Sequence, residues 1–114
     1  MKIAIILGGA SSEKSISILT GLSVSEALSK KYDTEAIHIG SDLSILPEKL
    51  LGCNIVFNAL HGGTGENGNI QSFLDVHHIP YCGSGAKASK LAMDKHLSKM
   101  IAKSESVATP EWIL

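Results

Sequence analysis

The sequence predicts an α/β domain in which a parallel sheet carries helices on both faces, and three features lead there. Ile3 to Leu7 is an unbroken apolar run without alternation, the pattern of a strand covered on both sides. Strand-length apolar runs then alternate with helix-length segments in the order β-α-β-α-β-α-β-α. Glycine-rich loops follow the first, third and fourth of these runs, where a strand hands over to the next helix. Parallel strands connected in that order call for right-handed crossovers.

The run Ile3 to Leu7 is expected at the centre of the sheet, and Gly8-Gly9-Ala10-Ser11-Ser12 ends it. From Glu13 to Lys31 there is no proline and the charges gather at the ends, which reads as a helix. Its apolar positions Ile16, Ile18, Leu19, Leu22, Val24, Ala27 and Leu28 cover much of the wheel, suiting a helix packed on a sheet and pressed by a neighbour. Gly21 costs this helix about 1 kcal/mol relative to alanine, so a close backbone approach is expected there. Thr34 to Ile39 alternates weakly and reads as a second strand, with a short helix near Pro47 to Leu51 after it. Ile55 to Leu60 is the third strand, Gly62 to Gly68 a loop, and Ile70 to His77 a short helix. Ile79 to Cys82 reads as a brief fourth strand that stops at Gly83-Ser84-Gly85. Ala88, Leu91 and Ala92, then Leu97, Met100 and Ile101, repeat the spacing of amphipathic helices, with Ser84 and Asp94 as their expected caps. After Pro110 a further strand is expected to begin, and Trp112, Ile113 and Leu114 need cover from this domain or a partner. The chain therefore reads as one domain over residues 1–108, with residues 109–114 opening a second.

A length of 114 residues suits one domain, and 44% apolar content against 18% charged content suits a packed core. Ten lysines, no arginine and eleven carboxylates give a net charge of -1. No broad electropositive surface follows, which argues against nucleic acid and membrane as partners. No apolar run approaches the roughly 20 residues of a membrane helix, and the opening stretch reaches Gly8 too soon for a secretory signal, so the cytoplasm is expected. Cys53 and Cys82 have no metal-ligand spacing and are expected as buried, reduced thiols, with no metal site.

Ligands of open parallel sheets bind beyond the carboxyl ends of the strands, here at the loops after Leu7, Leu60 and Cys82. In the first loop, backbone N-H groups could receive an anion and Glu13 a cation; the plainer reading is a helix cap with an acidic first turn. The second, Gly63-Thr64-Gly65-Glu66-Asn67-Gly68, matches the spacing G-x-G-x-x-G. Glu66 would lie against a dinucleotide's pyrophosphate there, and two like charges about 4 Å apart repel by about 4 kcal/mol at an effective dielectric near 20. The window from Ser84 to Lys90 also lacks the ribose-binding acid, and no Gly-Lys-Ser/Thr completes a Walker loop. His61, closing the third strand, could pair with Glu66 across the glycine turn and be oriented by it. His38, His77, His78 and His96 read as ordinary hydrogen-bonding residues. Lys95 opens the last helix after Met93-Asp94, where its ammonium could reach a phosphate; the default reading is a solvated lysine.

Taken together the three loops resemble the N-terminal domain of the D-alanine-D-alanine ligases, members of the ATP-grasp superfamily. His61-Gly62-Gly63-Thr64-Gly65-Glu66-Asn67-Gly68-Asn69-Ile70-Gln71-Ser72 follows the signature H-G-x-x-G-E-D-G-x-I/L-Q-G/S, with Asn67 in place of the usual Asp. Leu7 to Glu13 resembles the family's first loop, Ile79 to Gly85 with Met93-Asp94-Lys95 its third, and Thr109-Pro110-Glu111-Trp112 the entry to its central domain. The resemblance implies a Rossmann-like (pre-ATP-grasp) fold and ligation of two D-alanines through an acylphosphate made with ATP, for peptidoglycan. It also implies that Glu13 holds the ammonium of the first D-alanine and that Ile16, usually Val, lines that subsite. His61 would lie beside the same substrate, Glu66 would support it, and Lys95 would reach the ATP phosphates. ATP and Mg2+ would be held mainly by central and C-terminal domains that these residues do not include, leaving this segment inactive alone. The intact enzyme is expected as a homodimer. Lys14 and Ser15 depart from the family's usual basic and acidic residues after Glu13. The alternative is a stand-alone or split-gene interaction module that pairs with a separate ATP-grasp chain.

Overall fold

Ile3, Ala4, Ile5, Ile6 and Leu7 are all buried, as an unalternating strand requires. They lie in β1 (Lys2–Gly8), the middle strand of a parallel sheet with β2 (Asp33–Ile39) and β3 (Ile55–Asn58) in the order β2-β1-β3. The computed structural model describes residues 1–113. Successive side chains of a strand point to opposite faces. Ala4 and Ile6 accordingly join Ile37, Ile39, Val56, Leu46, Leu50, Ile70 and Leu74 on one face, while Ile5 and Leu7 join Ala59, Ile18 and Val24 on the other.

The second face is covered by α1 (Lys14–Ser29), the first by α2 (Leu46–Lys49) and α3 (Asn69–Val76), so helices lie on both faces as expected. At Gly21 a β-carbon would stand 2.5 Å from Leu7 Cδ2 and 2.6 Å from Leu7 Cβ, which explains a glycine in mid-helix. One turn earlier, Ser17 Oγ accepts from Gly8 N at 2.9 Å and donates to the Ala59 carbonyl at 2.8 Å. That fully buried hydroxyl ties α1 to the ends of β1 and β3.

Several expectations need correction. The fourth strand reduces to one parallel bridge between Val56 and Tyr81. Pro80 has no N-H to extend the ladder, and β3 itself is only four residues long. Cys82, expected to be buried, is exposed on this short segment, whereas Cys53 is half-buried. Ser84 caps nothing: Gly85 stands at the N-cap of α4 (Ala86–Met93) without a side-chain bond. Asp94 does cap α5 (Lys95–Ser104), its Oδ1 accepting from Leu97 N at 3.0 Å. Ile16, Leu19 and Leu22 are exposed, so among the described residues no neighbour presses the outer side of α1, and α5 buries none of its residues.

Residues 109–113 form no strand. Trp112 instead finds cover on α5, its Nε1 donating to His96 Nδ1 at 2.7 Å while Lys99 Nζ sits 5.5 Å from its ring centre. Lys99 also donates to Thr109 Oγ1 and the Pro110 carbonyl, pinning the segment. Ile113 is 98% exposed, and Leu114 lies outside the described residues.

Candidate functional site

The parallel register brings Gly8, Ile39 and Asn58 to one end of the sheet, and the loops that follow them share that edge. The first and second loops are stitched together by Ser11. Its Oγ donates to the His61 carbonyl at 2.6 Å and accepts from Glu13 N at 3.1 Å. Glu13 occupies the N-cap position of α1 but makes no capping bond with its side chain, so the plain cap reading does not describe it. Its carboxylate instead reaches across the edge: a β-carbon on Gly62 would stand 2.5 Å from Glu13 Oε2. Gly62 also has φ of 69°, a left-handed conformation that disfavours any side chain. Glu13 and His61 therefore flank the same glycine.

The His61 ring lies between two elements. Its Nδ1 is 3.9 Å from Glu66 Oε1, and its Nε2 is 3.1 Å from Thr20 Oγ1 on α1. The expected pairing of His61 with Glu66 is thus present as a 3.9 Å approach, longer than a hydrogen bond. Glu13, Ile16 and Thr20 follow one another at spacings of three and four, so they line one face of α1 above this edge. Ile16 is 51% exposed there, an apolar surface one turn from the Glu13 carboxylate.

The glycine turn Gly63–Gly65 is a single 3-10 turn rather than an open loop. Its form is set from beneath. The Gly65 carbonyl accepts from Asn58 Nδ2 at 2.8 Å and from Gln71 Nε2 at 3.1 Å, and Leu60 N donates to Asn58 Oδ1 at 3.1 Å. A β-carbon at Gly65 would collide with Leu60 Cβ. Two clefts open beside this turn and share His61 in their walls. One, of about 230 Å³, lies among Gly9, Ser11, Ser41, Leu43 and Thr64; the other, of about 500 Å³, runs past Thr20, Glu66, Gln71, Ser84 and Met93.

Chemically the rim offers two carboxylates, an imidazole and hydroxyls, with backbone held open by glycine. Such a rim suits an ammonium ion, which a carboxylate binds through short charge-assisted hydrogen bonds. It repels phosphate at the place where the G-x-G-x-x-G spacing would put one. Of the predicted site residues, His61 and Glu66 line a cleft, while Glu13, Ile16 and Lys95 line neither; Lys95, the first residue of α5, is exposed. Among the described residues no three metal-ligating side chains converge.

Glu13, His61 and Glu66 are thus brought to one edge, with Ile16 one turn along α1 from Glu13, and Lys95 lies on a different helix. Thr20, Asn58 and Gln71 were not singled out from the sequence. Thr20 left a trace, a hydroxyl on the apolar wheel at helical spacing from Glu13. Gln71 stands in the signature quoted above, but its bond to the Gly65 carbonyl does not follow from it, and Asn58, bound to the same carbonyl, left no trace.

A family profile described as "D-ala D-ala ligase N-terminus" matches residues 41–84. The D-alanine-D-alanine ligase B of Clostridium perfringens is 46% identical over 114 residues, covering 99% of this chain and 37% of that protein. The D-alanine-D-alanine ligase of Syntrophotalea carbinolica is 44% identical, covering 96% of this chain and 36% of that protein. A crystal structure of the Bacillus anthracis enzyme complexed with ATP superposes with a TM-score of 0.90 at 40% identity, over 99% of this chain and 37% of that one. The chain thus spans somewhat more than a third of the length of these relatives.

Proposed function

We infer that this chain, an N-terminal domain of the D-alanine-D-alanine ligase type, binds the first D-alanine of an ATP-dependent ligase that makes the dipeptide for peptidoglycan. The observation that carries this reading is the meeting of Glu13 and His61 at Gly62. The Glu13 carboxylate takes the substrate ammonium, Ile16 lies against its methyl group, and His61, supported by Glu66, completes the rim. A zwitterion bound this way leaves its carboxylate free for phosphorylation.

The chain holds residues for the amino acid and few for the nucleotide. Lys95 fits an ATP phosphate as a flexible, exposed point charge at the start of α5. The pocket for ATP and the carboxylates for Mg2+ are assigned to an ATP-grasp portion outside residues 1–108. Mg2+ there would neutralise phosphate charge as the acylphosphate forms. The segment alone is therefore expected to bind substrate and not to ligate. The intact enzyme is proposed as a cytoplasmic homodimer, for which exposed Leu19 and Leu22 provide apolar surface. No described helix is long and apolar enough to cross a membrane.

The test is a titration of the chain with D-alanine, followed by chemical shifts. Saturable shifts at Glu13, Ile16 and His61 are expected in the wild type. Glu13→Gln should weaken binding by about tenfold or more, because a neutral amide cannot match the ammonium and charged hydrogen bonds are worth about 1.5–3 kcal/mol. Equal binding by Glu13→Gln, or none by the wild type, would remove the role given to Glu13. A second reading, a split-gene module pairing with a separate ATP-grasp chain, draws on the exposed Leu97, Met100 and Ile101 of α5. It keeps the same residues in the same roles and differs only in whether the remaining polypeptide is covalently joined.

A further inference from the structure

The imidazole of His61 has a different neighbour at each nitrogen, and the two neighbours are not equivalent. Glu66 faces Nδ1 with a carboxylate, which when ionised can only accept. Thr20 faces Nε2 with a hydroxyl, which can either donate or accept. In a neutral imidazole one nitrogen carries the hydrogen and the other accepts, and the partner of one sets the role of the other. A hydrogen on Nδ1 points its positive end at the Glu66 oxygen 3.9 Å away and leaves Nε2 to accept from Thr20. The reverse arrangement aims the Nδ1 lone pair at a negative charge and forces the hydroxyl to accept.

Thr20 is well placed for this work. Its hydroxyl bonds His61, forty-one positions away, rather than a carbonyl of its own helix. It stands next to Gly21, where α1 packs closely on Leu7. Ser17, one turn back, fixes the same helix to β1 and β3. The hydroxyl is therefore presented from a rigid support, while the Glu66 carboxylate hangs from an exposed turn.

We propose that Thr20 is a positioning residue for His61: Glu66 selects the Nδ1-H tautomer, and the Thr20 hydroxyl, donating to Nε2, holds the ring in place and keeps its basic nitrogen occupied. This rests on the D-alanine reading of the same site, and it assigns His61 a binding role in place of a proton-accepting one. Thr20 itself touches no reacting atom.

The experiment is a long-range proton-nitrogen correlation spectrum of the 15N-labelled chain, recorded where the imidazoles are neutral. His61 is expected to show a protonated Nδ1 and an unprotonated Nε2 in the wild type. Thr20→Val, which keeps the shape and removes the hydroxyl, should take the donor from Nε2 and shift its 15N resonance, whereas Glu66→Gln, which removes the selecting charge, should bring in the opposite tautomer. In Thr20→Val the D-alanine affinity should fall by about threefold to tenfold, the range for one neutral hydrogen bond. Thr20→Ser should restore both. A wild-type His61 protonated on Nε2, or a Thr20→Val spectrum with an unchanged Nε2 resonance, overturns the proposal. The wild-type spectrum needs no variant to fold, and it is read without ligand. Failure of D-alanine to bind would sink the substrate reading while the tautomer result stood on its own.

Discussion

Ser17 has no charge and meets no solvent, yet three elements depend on its hydroxyl. The Gly8 N-H and the Ala59 carbonyl both lose their side-chain partner in Ser17→Ala, and an orphaned buried group costs about 1–3 kcal/mol. Chemical denaturation of that variant should show a loss of about 2–4 kcal/mol, and a loss below about 1 kcal/mol would mean that water replaces the hydroxyl. The sequence hides this residue well, because a serine among Ile16, Ile18 and Leu19 looks like a solvent-facing position. Glu13 was easier to read. A carboxylate just past a double glycine implies either a cap or a cation site, and only the fold shows its side chain turned from the helix toward Gly62.

Among the elements, α1 carries most of what the site needs. Its inner side meets β1 at Gly21, its front face presents Glu13, Ile16 and Thr20, and its outer side leaves Leu19 and Leu22 in solvent. Gly21→Ala brings two opposing effects. Helix propensity gains about 1 kcal/mol, while a methyl group 2.5 Å from Leu7 overpacks a fully buried contact at about 1–3 kcal/mol. Steric cost should win, and thermal melts are expected to show net destabilisation; a stabilised variant would mean that α1 can lift from the sheet. The missing fourth strand belongs to this scale too. Its residues have strand composition, but Pro80 and the short reach of β3 leave it one bridge.

At the scale of the whole molecule, burial is uneven. The sheet with α1, α2 and α3 contains both core clusters, whereas α5 buries nothing and is tied to the end of α4 by Ser98 Oγ, which lies 3.0 Å from the Leu91 and Ala92 carbonyls. Amides of α5 are expected to exchange with solvent through local opening, ahead of those of β1, which should need global unfolding. Adding the proposed ATP-grasp portion should slow exchange in α5 by covering Leu97, Met100 and Ile101. Equal protection of α5 and β1 in the chain alone would mean that these helices already form one cooperative unit.

The sequence by itself determined the fold class, the order of the elements up to the third strand, the central position of β1, the close approach at Gly21 and the Asp94 cap. These are written in local signals, namely apolar runs, helical spacing and glycine at positions where neighbours crowd. It also placed Glu13, His61 and Glu66 in loops at strand ends, which topology alone sends to one edge. Only the tertiary structure decided that Glu13 reaches Gly62, that Thr20 holds the far nitrogen of His61, and that Asn58 and Gln71 grip the Gly65 carbonyl. Such contacts join residues far apart in the chain through single atoms, and their geometry follows from how closely α1 and β3 pack rather than from any pattern of residue types.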